Sequence, residues 1–171
     1  MYAIYFNKDL KASYTDITDD FYELVDNGNW TVKKLISLAE GRYEDNPSAG
    51  TQGVGANFKN SDAEDTYGFC TVYYHVDAFY TGAGLKLLEH DAEKMLVVSP
   101  AYSGEKVNAL INTLKSFLTG PDCFTDTSTE DLAETPFING KALFCQNRAY
   151  FAKNKLAQSD FKYGILPTPK Y

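Results

Sequence analysis

Residues 65–84 read Asp65-Thr66-Tyr67-Gly68-Phe69-Cys70-Thr71-Val72-Tyr73-Tyr74-His75-Val76-Asp77-Ala78-Phe79-Tyr80-Thr81-Gly82-Ala83-Gly84. From Tyr67 to Tyr73 the run is aromatic and apolar and has the length of a strand. His75 to Tyr80 follows as a helical turn or more, closed by Gly82-Ala83-Gly84. A strand that feeds straight into a helix is the repeating unit of a layered α/β domain. In an open α/β sheet, ligands bind beyond the carboxyl ends of the strands. Tyr73, Tyr74, Asp77 and Phe79 fall at that position. Sugars suit such a lining: the C–H face of a pyranose stacks on an aromatic ring, and its hydroxyls seek carboxylate and amide partners. The same rings would serve equally well as packed core.

Outward from this unit, strands and helices continue to alternate. Tyr2 to Phe6 reads as a strand, broken by Asn7-Lys8-Asp9. Asp19 to Asn27 reads as a helix capped by Thr18 and stopped by Gly28. Thr31 caps a second helix with an apolar stripe of Val32, Leu35, Ile36 and Ala39, and Trp30 is placed to fold back on its first turn. Residues 43–66 form a long polar loop, expected to be the most mobile part of the chain. Leu85 to Leu88 and Met95 to Val98 flank a polar turn and predict a hairpin. The longest helix runs from Gly104 to Leu118 with Ser103 as cap, and carries Val107, Leu110, Ile111, Leu114, Phe117 and Leu118 on one side. A weak helix is expected over Asp131–Phe137, capped by Thr129, and another over Tyr150–Leu156. Lys141–Gln146 and Phe161–Leu166 read as strands. No repeat and no second compositional region divides the chain, so residues 1–171 are expected to form one α/β unit.

The 171 residues include Lys+Arg 16 and Asp+Glu 23, a net charge of −7. All of that excess lies in the first 85 residues. A balance this acidic disfavours nucleic acid as a partner. No apolar run approaches the ~20 residues that span a bilayer. The clustered acids at Asp16, Asp19, Asp20, Glu23 and Asp26 read as a solvated helix face. Cys70, Cys123 and Cys145 are widely spaced, form no CxxC, and read as small buried hydrophobes. No nucleophile elbow, zinc motif, dinucleotide fingerprint or phosphate loop is present. No catalytic residue, metal or cofactor is expected. His75, in its aromatic neighbourhood, reads as a structural or ligand-contact histidine.

Six short pieces in order carry a resemblance. They are Tyr5-Phe6-Asn7-Lys8-Asp9-Leu10, Gly28-Asn29-Trp30-Thr31-Val32-Lys33-Lys34-Leu35, Asp65-Thr66-Tyr67-Gly68-Phe69, and Asp77-Ala78-Phe79-Tyr80-Thr81-Gly82-Ala83-Gly84. The series ends with Phe137-Ile138-Asn139-Gly140-Lys141-Ala142-Leu143-Phe144 and Phe161-Lys162-Tyr163-Gly164-Ile165-Leu166-Pro167-Thr168-Pro169-Lys170. Together they resemble the extracellular solute-binding proteins of sugar ABC transporters, the maltodextrin-binding-like group. Such proteins have two α/β lobes around a sugar cleft. The resemblance implies that this chain is the second lobe alone, a mixed sheet flanked by helices, with the first lobe, the lipoprotein signal and the C-terminal helices missing. It reads as a fragment, or as a domain starting at an added Met1.

The resemblance implies a ligand-facing wall of Tyr73, Tyr74, Asp77 and Phe79, joined by Gln146, Asn147, Arg148 and Tyr150 after the strand of the Asn-Gly-Lys-Ala-Leu-Phe motif. It implies no catalysis, a small-molecule carbohydrate as ligand, and as partners the missing lobe and a membrane permease. The full-length protein would be an extracellular, cell-surface lipoprotein. Trp30 matches a tryptophan read as structural. Relatives often carry a calcium-loop-like stretch before the Asp-x-Tyr-Gly-Phe motif, but Tyr43–Glu64 lacks its ligand pattern, so calcium is not expected. The competing readings are a carbohydrate-active enzyme domain working through a carboxylate pair, and a structural or adhesion module whose aromatics are all core.

Overall fold

The structure, a computed structural model, describes residues 1–46, 65–126 and 130–171. Its centre is a five-stranded sheet in the order β5-β2-β6-β1-β7, formed by β1 (Tyr2–Asn7), β2 (Tyr67–Val72), β5 (Cys123–Asp126), β6 (Ala142–Arg148) and β7 (Tyr163–Leu166). β2 pairs in parallel with both β5 and β6, while β1 runs antiparallel to its neighbours β6 and β7. Four strands therefore point one way and β1 the other. β3 (Leu88–His90) and β4 (Leu96–Val98) form a separate hairpin.

Along β1 the side chains alternate between two cores. Ile4 and Phe6 join the core built with α2 (Phe21–Asp26), α3 (Val32–Ala39), α4 (Asp77–Gly82) and α5 (Glu105–Leu118). Ala3 and Tyr5 join the opposite core, with Phe137 of α6 (Glu130–Ile138) and Phe151 of α7 (Phe151–Asn154). This period of two, with both faces covered, explains why the strands read as near-continuous apolar runs. The mixed sheet with helices on both sides is the layered α/β arrangement expected from the sequence.

Several local readings are corrected. Asn7 does end β1, but it also starts α1 (Lys8–Ser13): its Oδ1 accepts from the backbone N–H of Asp9 and Leu10. The cap of α2 is Asp20 rather than Thr18, accepting from Tyr22 and Glu23 N–H. α5 is preceded by Gly104 without a side-chain cap, because Ser103 belongs to a 3₁₀ turn, Pro100–Ser103. Thr31 caps α3 as expected. Strand β5 was not visible in the sequence, since only Cys123 and Phe124 in it are apolar. Trp30 is a core residue whose ring lies 6.3 Å from Phe21 and 6.0 Å from Phe144, and its indole N–H donates to the Pro167 carbonyl at 2.8 Å. Two of the clustered acids are paired, Asp19 with Lys34 and Asp16 with Arg42.

The neck of the polar loop is pinned. Glu44 and Thr66 exchange backbone hydrogen bonds, and the buried Asp65 accepts from Asn46 N–H and from the Tyr43 hydroxyl. Residues 47–64, on which the expectations of mobility and of no calcium fall, lie outside the described residues, as does the Thr129 cap.

The three thiols lie on adjacent strands of the sheet, all buried and free. Cys70 and Cys145 are register partners across β2 and β6. Burial raises the Cys70 thiol well above its usual range, reinforced by its hydrogen bond with Cys145, and burial pushes Cys123 up to about 12. At pH 8 the folded chain should hold Cys123 about 10⁻⁴ ionised, so alkylation should wait for unfolding. An unfolded thiol ionises near its model value of 9.0 while the folded one keeps its proton. The Cys123 contribution to stability should therefore be constant below about pH 9 and fall as pH rises toward 12, with a slope of up to ~1.4 kcal/mol per pH unit. A Cys123→Ala variant should show a shallower alkaline loss in urea titrations.

Gly68 provides a second check on packing. A Cβ there would lie 1.9 Å from the Ala39 carbonyl oxygen, so β2 and the end of α3 touch backbone to backbone. Gly68→Ala must push α3 off the sheet, at an expected cost of about 3 kcal/mol or more. Gly41→Ala meets no atom within 4 Å. It should cost only about 1 kcal/mol, for a side chain at positive φ. Equal melting points for the two variants would contradict this packing.

Candidate functional site

Since β2, β5, β6 and β7 run together, their carboxyl ends share one edge of the sheet, and the start of β1 joins them there: Tyr2 is the register partner of Arg148. Beyond Val72 the chain turns at once into a 3₁₀ turn, Tyr73–Val76, and then into α4. The strand expected to reach Tyr73 thus ends one residue earlier, and Tyr73 and Tyr74 project from a turn instead of alternating on a strand. Tyr73 is exposed and Tyr74 half-buried, and their rings meet edge to face at 5.0 Å. Tyr74 meets the His75 ring at 4.9 Å, and His75 meets Tyr2 at 5.1 Å.

From the neighbouring strand β6 comes the second half. The Arg148 guanidinium lies 5.6 Å from the Tyr74 ring centre and 6.0 Å from that of Tyr150, within cation–π range of both. Tyr150 is itself exposed. The edge therefore carries one continuous row: Tyr2, His75, Tyr74 with Tyr73 beside it, Arg148 and Tyr150.

The turn that presents Arg148 and Tyr150 is fixed from beneath. The hydroxyl of the buried Tyr5 reaches the Arg148 and Ala149 carbonyls at 3.0 and 3.1 Å. Ala149 N–H donates to the Met1 carbonyl. Arg148 N–H donates to Asn147 Oδ1 at 2.7 Å, and Asn147 Nδ2 donates to the buried Glu134 carboxylate at 2.7 Å. On the other side, His75 Nδ1 lies 3.3 Å from the Gln146 carbonyl oxygen, which ties the 3₁₀ turn to β6.

The residues expected at the wall divide accordingly. Tyr73, Tyr74, Arg148 and Tyr150 come together at the surface, and Asp77 is exposed at the start of α4. Phe79, Gln146 and Asn147 do not reach it. Phe79 is fully buried, its ring 6.4 Å from Phe69. It lies on the face of α4 turned to the sheet. Gln146 and Asn147 are buried within β6, the former taking the Thr71 hydroxyl at 3.4 Å and the latter bound to Glu134. The sequence reading missed Tyr2, which had been absorbed into the first strand. Only the antiparallel register of β1 against β6 brings it here.

Nearby, a cavity of about 790 Å³ opens between α4 and α5, lined by Asp77, Tyr80, Leu87, Tyr102, Asn108 and Ile111 among others. Asp77 is the one wall residue it shares. Among the described residues, no group of three His, Cys, Asp or Glu side chains could hold a metal ion.

No protein-family model matches the chain, and no curated protein does. Among solved structures, the Thermus thermophilus maltotriose binding protein bound with maltotriose is similar in fold, with a TM-score of 0.59 and 16% sequence identity. The match covers 99% of this chain and 37% of that one, so this chain spans little more than a third of its length. The likeness is to a solute-binding-protein fold, of which the chain forms one lobe.

Asn147 tests the support of the site. Asn147→Ala removes a donor from a carboxylate that is 3% exposed and the acceptor of the Arg148 N–H. It should cost about 2 kcal/mol in urea unfolding, the scale for stripping a partner from a buried charged group. A loss below about 0.5 kcal/mol would mean that the Glu134–Asn147 link does not hold the turn.

Proposed function

We propose that this chain is the second, sugar-receiving lobe of a bacterial solute-binding protein serving an ABC transporter. The observation that carries the reading is the gathering of exposed Tyr73 and Tyr150, with Tyr74 and Arg148 between them, at the carboxyl edge of the parallel strands. Rings laid open there offer faces for the C–H surface of a pyranose, while Asp77 and Arg148 offer charged partners to its hydroxyls. The fold likeness to a maltotriose binding protein supports an oligosaccharide as the ligand class.

In this reading the protein binds and releases its sugar unchanged. A further lobe of the same protein closes over the ligand by hinge motion, and the closed form is what a membrane permease receives. The whole protein would work outside the cell, held at the surface by a lipid. Incubation with a panel of oligosaccharides separates binding from catalysis, since turnover of any sugar would favour the carbohydrate-active enzyme instead.

One lobe buries far less of a sugar than a closed cleft does. The isolated chain should therefore bind maltotriose only weakly, with a dissociation constant of about 1 mM or above, measured by NMR titration. Tyr73→Ala and Tyr150→Ala should each weaken that binding by about 1 kcal/mol, the scale of one lost stacking contact, and leave the melting temperature nearly unchanged. Phe79→Ala should do the reverse, costing about 3–5 kcal/mol of stability through the cavity it leaves. If neither tyrosine variant alters the titration, the ring row is not where sugar binds.

A further inference from the structure

The three cysteines sit on neighbouring strands, and the pleat sorts them. Cys70 of β2 and Cys145 of β6 are register partners. Cys123 of β5 is the partner of Phe69, one residue earlier along β2. Register partners share a face of the sheet, and successive residues alternate. Cys70 and Cys145 accordingly enter the core that holds Phe137 and Phe151, while Cys123 enters the opposite core with Phe69 and Phe144. The sheet itself lies between Cys123 and the other thiols, and β2 separates the strand of Cys123 from that of Cys145.

Paired residues on neighbouring strands are about 5 Å apart, inside the span of about 4.4–6.8 Å between Cα atoms that a disulfide bridges. Cys70 and Cys145 are both buried, and their thiols interact directly. Of the three pairings that three cysteines allow, this one alone leaves every strand as it stands.

We infer that Cys70 and Cys145 form a disulfide site: given a low-molecular-weight disulfide as oxidant, the chain closes this bond as it folds and keeps Cys123 as a thiol. Folding is the moment for it, because the thiolate is the attacking form and burial afterwards holds the Cys70 proton in place. One of the two cysteines, still exposed, attacks the oxidant. The S–S bond of the oxidant breaks, one half stays on the protein as a mixed disulfide, and the other leaves as a thiol. As β2 meets β6, the second cysteine attacks the protein sulfur of that mixed disulfide and expels the remaining half. The two cysteines give up two protons and two electrons, and the oxidant ends as two thiols. A mixed disulfide left in place has no room in a close-packed core. The bond stands three residues before Tyr73 and three before Arg148. It joins the two strands whose ends carry the two halves of the ring row. The pairing rests on the sheet alone and holds whether or not that row binds sugar, although the extracellular setting proposed above is one that preserves disulfides.

The test is a disulfide map. The reduced chain, unfolded in urea, is diluted at about pH 8 into equal parts of reduced and oxidised glutathione, then quenched with acid. Trypsin puts the three cysteines on separate peptides, 60–86, 116–141 and 142–148. In most of the chains that regain the far-ultraviolet spectrum of the reduced protein, peptides 60–86 and 142–148 should be joined, lighter than their sum by two hydrogens, with Cys123 a free thiol. Cys123→Ala should close the same bond to the same extent. A sample never unfolded, left in the same buffer, should reach the same linkage slowly through its own opening, so the test does not depend on refolding from urea. Chains that keep all three thiols free in both samples overturn the proposal. So does a link through Cys123 in chains of native spectrum, or glutathione retained on Cys70 or Cys145.

Discussion

Everything at the candidate site hangs on the antiparallel insertion of β1 between β6 and β7. That strand is the one member of the sheet running against the rest, and it is buried on both faces. Its register against β6 sets Tyr2 opposite Arg148, and its register against β7 sets Ile4 opposite Leu166. The first residues of the chain are thereby locked between its last two strands, β6 and β7. Pairings this distant in sequence must offset the entropy of closing long loops. The apolar density of Ile4, Tyr5 and Phe6 is what provides that. The Tyr5 hydroxyl, reaching the carbonyls of Arg148 and Ala149, then converts a packing contact into a positional one. It fixes the turn after β6, so the height of Tyr150 above the sheet depends on a residue 145 positions away.

The fold was legible wherever burial marked the sequence. β1, β2, β6 and β7 follow from apolar runs of strand length, and the stripe of α3 and the long helix α5 from spacings of three and four. What escaped was short and locally ambiguous. α1 buries no side chain and leaves no stripe, so only the capping behaviour of Asn7 marks it. β5 is four residues long and is held by its partner β2, not by its own pattern. Ser103 and Thr18 were plausible caps, but a cap is decided by where the chain bends, and that is set by packing at Phe21 and by the Pro100–Ser103 turn.

The site was legible as two segments and not as a set of side chains. Proximity of the stretches after β2 and β6 follows from their parallel pairing, and it brings Tyr74 to Arg148. Which side chain in each stretch faces out is a separate matter. It depends on where the strand gives way to a turn, and Val72 is the last strand residue where the sequence allowed one more. Phe79 went to the core because α4 has a single inward face and Phe79 lies on it with Ala78 and Ala83 close by. Gln146 and Asn147 stayed inside because β6 runs on to Arg148, longer than its apolar residues alone suggest.

Two exposed surfaces of opposite chemistry remain. A tyrosine row carries hydroxyls and a guanidinium, so water can satisfy it. The aliphatic face of Leu88, Leu96 and Val98 has no such recourse. Apart from His90 at one end it has no polar tip to hydrate, and it is carried on a hairpin of three-residue strands, which is marginal by itself in water. The inner anchor of that hairpin is a polar one, the Ser99 hydroxyl on Glu89, together with the backbone bond from Ser99 to Leu87. Such an anchor sets the position of the hairpin without using its apolar side. It leaves Leu88, Leu96 and Val98 unpacked, and it separates the two surfaces by physics as well as by place.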